Sequence, residues 1–384
     1  MLPLQGIKVI DVTTNISGPT LTMILADLGS EVIKIERPGS GDEARKMAPI
    51  VHDDGTYFIN INRNKKSVVL DLKLQESLDI MYEMIADADV FVENFRLGKA
   101  DKLGLGFERL KEYNDRLIYC SLSAYGQNGP DRFKAGYDAI LQAETGLISI
   151  TGSTELSRIP VSILDQGSGI WGALGVVTAI LQRTKTEEGV KVDTSLFETG
   201  VFWSNYHLLS TILTNENPKK LGSSHASFAP YGAFHTKKSP VMIGISNDRL
   251  FKKLCDVLGK SSWITDVRYA SNENRVKYRD ELNKEVQLIL LHNSADEWIT
   301  IFNEAGVPAS KVQSMQDVFK HPQTMSNNMV IKNEHPTNGN TFVTRIPITF
   351  NQSSFPIRTG SPILGEHTEE VLSQLGKSQQ LTKE

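Results

Sequence analysis

One acid stands alone between an apolar run and a glycine-rich apolar stretch, in the segment VSILDQGSGIWGALGVV at residues 161–177. Burying an unpaired carboxylate is unfavourable. Asp165 is therefore expected to be paired, to lie at the solvated end of an element, or to take part in chemistry.

Two interpretations of Asp165 follow from these residues. As a structural residue it is the N-cap of a helix that runs to about Arg183, because Asp followed by Gln, Gly and Ser is typical of a turn into a helix. As a functional residue it is a carboxylate nucleophile or base at the mouth of a cleft, oriented by nearby helix amides. The segment alone does not decide between them.

Basic side chains cluster in the first third of the chain, where they would suit a phosphate-bearing ligand. They are Arg37, Arg63, Lys65, Lys66, Lys73, Arg96, Lys99 and Lys102. Taken singly, each is more often a solvated surface charge. The segment GSGDEA at 39–44 matches G-x-G-x-x-A, but Pro38 precedes it and no strongly apolar helix follows, so it is a weak dinucleotide fingerprint.

The elements that must position these residues alternate between strand and helix, which predicts an α/β fold with a parallel sheet covered by helices. Strands are predicted at 7–13, 31–36, 66–72, 89–94 and 117–125, and helices at 19–29, 74–88 and 107–116. Ligands of such sheets bind beyond the carboxyl ends of the strands, which favours residues 15–18, Arg37, 94–96, Tyr125 and Gly126 as site residues.

Composition indicates two domains in this chain of 384 residues. A Ser-, Gly- and Pro-rich loop at 221–240 precedes further strand and helix patterns, and loops with short strands return from about 325. We predict a Rossmann-like large domain at 1–220, completed by 325–384, and a smaller α+β domain at 221–324.

Charge and cysteine content exclude several classes of function. A formal net charge of −4 gives no case for nucleic acid. Cys120 and Cys255 are too few for a disulfide framework or a four-ligand zinc site, which indicates a reducing compartment and no metal. The N-terminus has no signal-peptide run, and the apolar stretch Ile170–Leu181 is shorter than the roughly 18 residues of a membrane span. We expect a cytoplasmic protein without a membrane partner.

Five segments at the start of the chain carry a resemblance to a known family. They are LQGIKVIDVTTNISGPTLTMILADLGSEVIKIERPGSGDEAR (4–45), NRNKKSVVLDLK (62–73), DVFVENFRLGKADKLGLG (89–106), IYCSLSAYGQNGP (118–130) and GYDAILQAETGLISITG (136–152). Later segments such as APYGAFHT, GVPASKVQSMQDVFKHPQ and LGEHTEEVL follow in the same order. Nearly the whole chain thus resembles the family III CoA-transferases.

The resemblance implies a role for Asp165. In this family an Asp at the matching position attacks an acyl-CoA thioester, giving a mixed anhydride and then an aspartyl-CoA thioester. CoA then passes from the acyl-CoA to a free carboxylic acid. The amides of 167–169 are expected to orient the carboxylate or to stabilise the oxyanion. The resemblance also implies that CoA enters as a substrate, that no cofactor is tightly bound, and that two chains form a homodimer of interlocked rings.

The resemblance also implies binding residues. The positions that match CoA contacts are Asn15, Ile16, Ser17, Arg37, Leu70, Lys73, Asn94, Phe95 and Lys102. Lys102 stands where formyl-CoA transferases have Arg. Tyr57, Tyr137 and Asp138 match residues near the acyl group, and their structural alternatives are two core tyrosines and a helix cap.

Three other functions stay open. The 2-methylacyl-CoA racemases share the fold but use a His in a GHD motif, where this chain has Gly136-Tyr137-Asp138; Tyr is a poor base in that place because its pKa is near 10. A non-catalytic acyl-CoA-binding protein would not need Asp165. An NAD(P) oxidoreductase would need the fingerprint that is missing here.

Overall fold

The computed structural model describes residues 1–51, 53–335 and 339–377. Its strands are β1 (Lys8–Asp11), β2 (Glu31–Glu36), β3 (Ile50–Val51), β4 (Asp54–Gly55), β5 (Lys65–Val69), β6 (Val90–Glu93), β7 (Ile118–Ser123), β8 (Lys191–Ser195), β9 (Tyr231–Phe234), β10 (Val241–Gly244), β11 (Ala309–Lys311), β12 (Val330–His335), β13 (Gly339–Thr344), β14 (Thr349–Phe350) and β15 (Ser353–Ser354).

The helices follow the same chain order. They are α1 (Ser17–Asp27), α2 (Thr56–Ile61), α3 (Gln75–Ala86), α4 (Lys99–Lys102), α5 (Phe107–Lys111), α6 (Asp138–Glu144), α7 (Leu147–Ile150), α8 (Ile163–Thr186), α9 (Leu196–Trp203), α10 (Asn205–Thr214), α11 (Asp248–Val257), α12 (Asn272–Lys277), α13 (Arg279–Leu290), α14 (Ala295–Ala305), α15 (Met315–Lys320), α16 (Pro322–Ser326) and α17 (Thr368–Gln374). Short 3-10 helices span Glu43–Lys46 and Ser261–Ile264.

A six-stranded sheet in the described residues has the order β5-β2-β1-β6-β7-β8, and every neighbouring pair is parallel. Renumbered among themselves, these strands run 3-2-1-4-5-6, which is the Rossmann order. The predicted parallel sheet is thus confirmed. Apolar side chains of β1, β6 and β7 are buried on both faces of the sheet, as expected where helices cover both sides. Because the order reverses between β1 and β6, a crevice opens beyond their carboxyl ends.

The chain divides into two units, each with its own core. The first comprises Met1–Gly146, Ile159–Leu209 and Pro322–Glu384, and the second Leu147–Arg158 and Ser210–His321. The second unit contains the antiparallel sheet β11-β10-β9. The sequence-based boundaries lie at 220 and 325; of the predicted return segment 325–384, residues 336–338 and 378–384 lie outside the described residues.

The glycines of helix α8 allow its neighbours to approach closely. A Cβ added at Gly169 would lie 2.6 Å from the carbonyl oxygen of Ser17 in α1, and one added at Gly172 would lie 2.5 Å from Leu21 of the same helix. A Cβ at Gly167 would lie 2.3 Å from the Trp203 ring of α9. Gly169 and Gly172 therefore allow α8 to lie close to α1, and Gly167 allows it to lie close to α9.

Helix α8 is also long and apolar enough, by length and composition alone, to cross a membrane. The sequence prediction counted only Ile170–Leu181, whereas the folded helix has 24 residues. Core helices of soluble proteins meet the same criterion. Ala173, Val176 and Ala179 of this helix are buried against the first unit's sheet and α1. Its length therefore gives no separate argument for a membrane.

We predict that Gly169→Ala destabilises the protein although Ala raises helix propensity by about 1 kcal/mol. The new methyl group would meet the Ser17 carbonyl oxygen, and overpacking of this kind costs about 1–3 kcal/mol. Urea denaturation measures the loss. Gly175→Ala is the control, because its Cβ would meet only one methyl group of Val192, at 2.7 Å, and a smaller loss is expected. A Gly169→Ala protein as stable as wild type would contradict the packing argument.

Candidate active site

A cavity of about 340 Å³ lies at the carboxyl edge of the six-stranded sheet, where the strand order reverses. Its walls come from the ends of β1, β2 and β6, the segment 132–137 and the start of α8. The predicted site residues that line it are Asn15, Ser17, Arg37, Leu70, Asn94, Phe95, Tyr137 and Asp165. The fold thus gathers, around one space, residues that are up to 150 positions apart in the chain.

Other predicted site residues do not line this cavity. Ile16 is buried in an apolar cluster with Met23, and Tyr57 packs against the same cluster. Lys73 and Lys102 are exposed on the surface, at the turn before α3 and at the end of α4. The CoA contacts of Ile16, Lys73 and Lys102 and the acyl-group contact of Tyr57 stay predictions.

Asp165 is the third residue of α8, so the N-cap interpretation is wrong. Ser162 holds the N-cap position with φ 47° and makes no side-chain cap. The amides of 167–169 lie inside the helix, where each bonds to the carbonyl four residues earlier. They are therefore not free to orient Asp165 or to bind an oxyanion, and that prediction is also wrong.

Asp138 caps the helix that carries Asp165. It is the first residue of α6 and is 5% exposed. Its Oδ2 accepts the amide of Leu164 at 2.7 Å and that of Asp165 at 3.3 Å, while its Oδ1 accepts from Gln142. A carboxylate at a helix N-terminus is stabilising because it accepts hydrogen bonds from free amides and because its negative charge is attracted to the positive end of the helix dipole. Asp138 therefore fixes the first turn of α8, and with it the backbone of Asp165.

The side chain of Asp165 is half-buried at the cavity. Within the described residues its carboxylate has neither a hydrogen-bond donor nor a cation as a partner. Burial and the neighbouring charge of Asp138 raise the pKa of Asp165 to about 7. A poorly solvated carboxylate of this kind is suited to act as a nucleophile.

The cations at the rim are partly engaged. Arg37 donates to Glu43 at 2.6 Å and to the Gly41 carbonyl at 3.3 Å. Lys134 lies 2.9 Å from Asp131 in an exposed ion pair. Exposed pairs such as these contribute little stability, so an incoming anion can compete for the cations.

Sequence reasoning missed several residues that line the cavity, among them Thr13, Thr14, Asp42, Glu43, Arg132 and Lys134. The segment GSGDEA contains Asp42 and Glu43, but its glycine spacing pointed only to a weak dinucleotide motif. Among the described residues, no group of three His, Cys, Asp or Glu side chains is placed to hold a metal ion.

Comparison with known proteins agrees with this geometry. The sequence model of CoA-transferase family III matches residues 4–368. A succinyl-CoA:glutarate CoA-transferase from Mus musculus is 35% identical over 98% of this chain and 87% of its own length. An acetyl-CoA:oxalate CoA-transferase from Acetobacter aceti is 37% identical over 86% of each chain.

A solved structure shares the fold over almost its whole length. The crystal structure of a CAIB/BAIF family protein from Brucella suis superposes with a TM-score of 0.89 at 31% identity, and the match covers 97% of this chain and 99% of the other. The family resemblance seen in the sequence motifs is thereby confirmed. The chain belongs to the family III CoA-transferases.

Proposed function

We propose that this CoA-transferase moves CoA from an acyl-CoA to a short dicarboxylic acid and that Asp165 carries the covalent intermediates. The observation that carries the proposal is the half-buried, unpartnered carboxylate of Asp165 at the wall of the cavity. A structural acid in that place would be expected to have a partner.

The proposed reaction conserves the thioester bond. A carboxylate oxygen of Asp165 attacks the acyl-CoA carbonyl carbon, the C–S bond breaks, and CoA leaves as the thiolate. The thiolate then attacks the Asp165 carbonyl carbon of the anhydride, which releases the donor acid and forms an aspartyl-CoA thioester. The acceptor carboxylate repeats both steps in reverse order and leaves as the new acyl-CoA. Asp165 is restored as a carboxylate, and ATP is not needed.

We assign the CoA part of the substrate to the cavity at the sheet edge. Asn15, Ser17, Asn94 and Phe95 would contact it, and Arg37 would attract its phosphates. Helix α1 starts at this wall and has no side-chain cap, so its first amides favour an anion. The acyl group would then lie toward Tyr137 and Asp165.

The acceptor class is inferred from relatives and from charge. Similar enzymes are named for the acceptors glutarate and oxalate, both dicarboxylic acids. Arg132 and Lys134 line the same cavity as Asp165. While one carboxylate of the acceptor reacts, either cation is suited to hold the other.

We also propose a homodimer. Helices α8 and α9 and the start of α10, all in the first unit, present large apolar side chains to solvent, including Ile170, Leu174, Phe202, Tyr206 and Leu209, each more than half exposed. An apolar surface of this kind on a soluble protein is commonly an interface. We propose that a second copy of this chain covers these side chains.

A cytoplasmic location stays a proposal. It is supported by the two cysteines, Cys120 and Cys255, which are both free and buried. Free thiols are typical of a reducing compartment.

Asp165→Asn is expected to lose CoA transfer by several orders of magnitude and still to bind CoA, because the variant removes the nucleophile and keeps the shape of the wall. Calorimetry with CoA and a transfer assay measure the two properties. Hydroxylamine or borohydride, added to wild type with acyl-CoA, should mark the peptide that contains Asp165. Substantial activity of the variant, with deamidation excluded by mass, and no marked peptide would contradict the mechanism.

The raised pKa of Asp165 predicts a pH dependence of stability. Its pKa of about 7 lies above the unfolded value of about 3.9. Between these values the native state binds more protons, so the contribution of this group to stability falls as pH rises toward 7. In urea denaturation, Asp165→Asn should therefore gain stability over wild type from about pH 5 to about pH 8. Glu76→Gln, at an exposed position of α3, is the control and should follow wild type. If the free energies of unfolding of Asp165→Asn and wild type change with pH in parallel, the raised pKa of Asp165 is refuted.

The acceptor class is tested by pairing each dicarboxylic acid with the monocarboxylic acid of the same chain length. We expect kcat/KM to be at least about tenfold higher for the diacid, because a second charge pair forms in the cavity. Lys134→Gln should reduce this ratio and leave transfer to monocarboxylic acids unchanged. Equal kcat/KM values within each pair would rule out the diacid as the preferred acceptor.

A further inference from the structure

The loop that follows β1, residues 13–15, forms part of the cavity wall and lies outside regular secondary structure. Thr14 donates its amide to Asn94 Oδ1 at 3.0 Å, and its carbonyl accepts from Asn94 Nδ2 at 2.8 Å. Asn15 has φ 68°, a left-handed conformation that is uncommon for residues with a side chain but that Asn adopts more readily than most. The shape of this wall therefore depends on contacts from outside the loop.

Asp42 makes the contact at the left-handed residue. Its Oδ1 accepts the amide of Asn15 and the amide of Ala44, each at 2.9 Å. Its Oδ2 lies 2.8 Å from Nζ of Lys34, and both side chains are fully buried. The same ammonium group donates to the carbonyl of Thr13 at 2.7 Å. One buried ion pair thus holds the loop at both of its ends.

The charge state of Lys34 is secure. Burial by itself lowers its pKa, but the carboxylates of Asp42, Asp11 and Glu36 raise the pKa above its ordinary value. Lys34 therefore stays charged at neutral pH and keeps Asp42 in place. A ligand that meets a wall already fixed in this way loses less free energy in ordering it.

We propose that the Lys34–Asp42 ion pair is a positioning device for CoA, which holds Asn15 and its neighbours in the binding conformation before CoA arrives. This inference rests on the proposed function, since it takes CoA as the occupant of the cavity. Asp42 acts through the backbone of Asn15, so it is a positioning residue and not a catalytic one.

Three variants test the proposal. Asp42→Ala removes the acceptor for the Asn15 amide and the partner of Lys34, whereas Asp42→Asn keeps an oxygen for that amide. Asp27→Asn is the matched control: it breaks another buried ion pair, 2.6 Å from Arg63, at the far end of α1 and away from the cavity. Each protein is measured for CoA affinity by calorimetry, for KM and kcat with acyl-CoA, and for unfolding in urea.

We expect Asp42→Ala to raise the Kd for CoA and the KM for acyl-CoA at least about tenfold, with kcat within about threefold of wild type. Asp42→Asn should raise the Kd for CoA less, by about threefold, because it keeps the acceptor for the Asn15 amide and loses only the charge of the pair. Asp27→Asn should lose stability while its Kd for CoA stays unchanged, because a buried pair is broken at a distance from the site. CoA should raise the Tm of the Asp27→Asn protein as much as it raises that of wild type, and it should raise the Tm of Asp42→Ala only weakly.

If Asp42→Ala does not fold, the double variant Lys34→Met with Asp42→Asn replaces it, because a buried pair exchanged as a unit is often tolerated. Its Kd for CoA should rise about fivefold, since the Thr13 carbonyl loses its donor. If Asp42→Ala or the double variant folds and binds CoA as tightly as wild type, this inference is overturned and the proposed function is not. The same follows if the Asp27→Asn protein binds CoA as weakly as Asp42→Ala. Wild-type protein that does not bind CoA overturns the proposed function, and the inference with it.

Discussion

The close approach of helix α8 to helix α1 is the constraint on which the site depends. At Gly169 the backbone of α8 lies where any side chain would collide with the carbonyl oxygen of Ser17. Ser17 begins α1 and Asp165 lies one turn before Gly169, so this contact brings the acid to the wall formed by the loop after β1. The reversal of strand order beside β1 then opens the crevice that a substrate can enter. Helix packing and sheet topology together place the Asp165 carboxylate at the cavity.

Several buried acids of the first unit are paired with cations, and Asp165 differs from them. Asp11, Asp27, Glu36 and Asp42 each face a Lys or Arg at 2.6–3.2 Å. Burial by itself raises the pKa of Asp11, but Lys34 and Lys65 lower that pKa to about 2. Asp165, among the described residues, faces another acid instead of a cation, and its pKa rises. The pair of Asp42 with Lys34 supports the cavity wall, while the carboxylate of Asp165 has no partner among the described residues.

Much of this fold could be predicted from the sequence. Strand and helix patterns alternate along the first 125 residues, and the strand at 31–36 was predicted with its observed bounds. Of the residues predicted just past the strand ends, Asn15, Ser17, Arg37 and 94–96 line the cavity, because parallel strands end at one edge. Ile16, Gly18, Tyr125 and Gly126 do not line it. The glycines after Asp165 suggested a turn, yet they lie within a helix because close packing needs them there.

Asp42 and Asp138 mark the limit of that reasoning. Each acts on backbone amides 27 residues away along the chain, at Asn15 and Asp165. No periodicity or motif reports such a contact, because it depends on how two loops fold against each other. Family resemblance suggested an acyl-site role for Asp138, with a helix cap as the structural alternative. Asp138 does cap a helix, α8, and its acyl-site role stays a prediction.

The burial of Asp165 and its proximity to Asp138 bear on the covalent states proposed for it. Acylation removes the charge of Asp165, just as protonation does. The burial and repulsion that raise its pKa therefore penalise the resting carboxylate and spare both the anhydride and the thioester. The free enzyme bears this electrostatic penalty, and the first bond of the proposed mechanism would relieve it. Burial and, beside it, the charge of an acid that does not itself react would thus supply part of the driving force for the proposed loading of CoA onto Asp165.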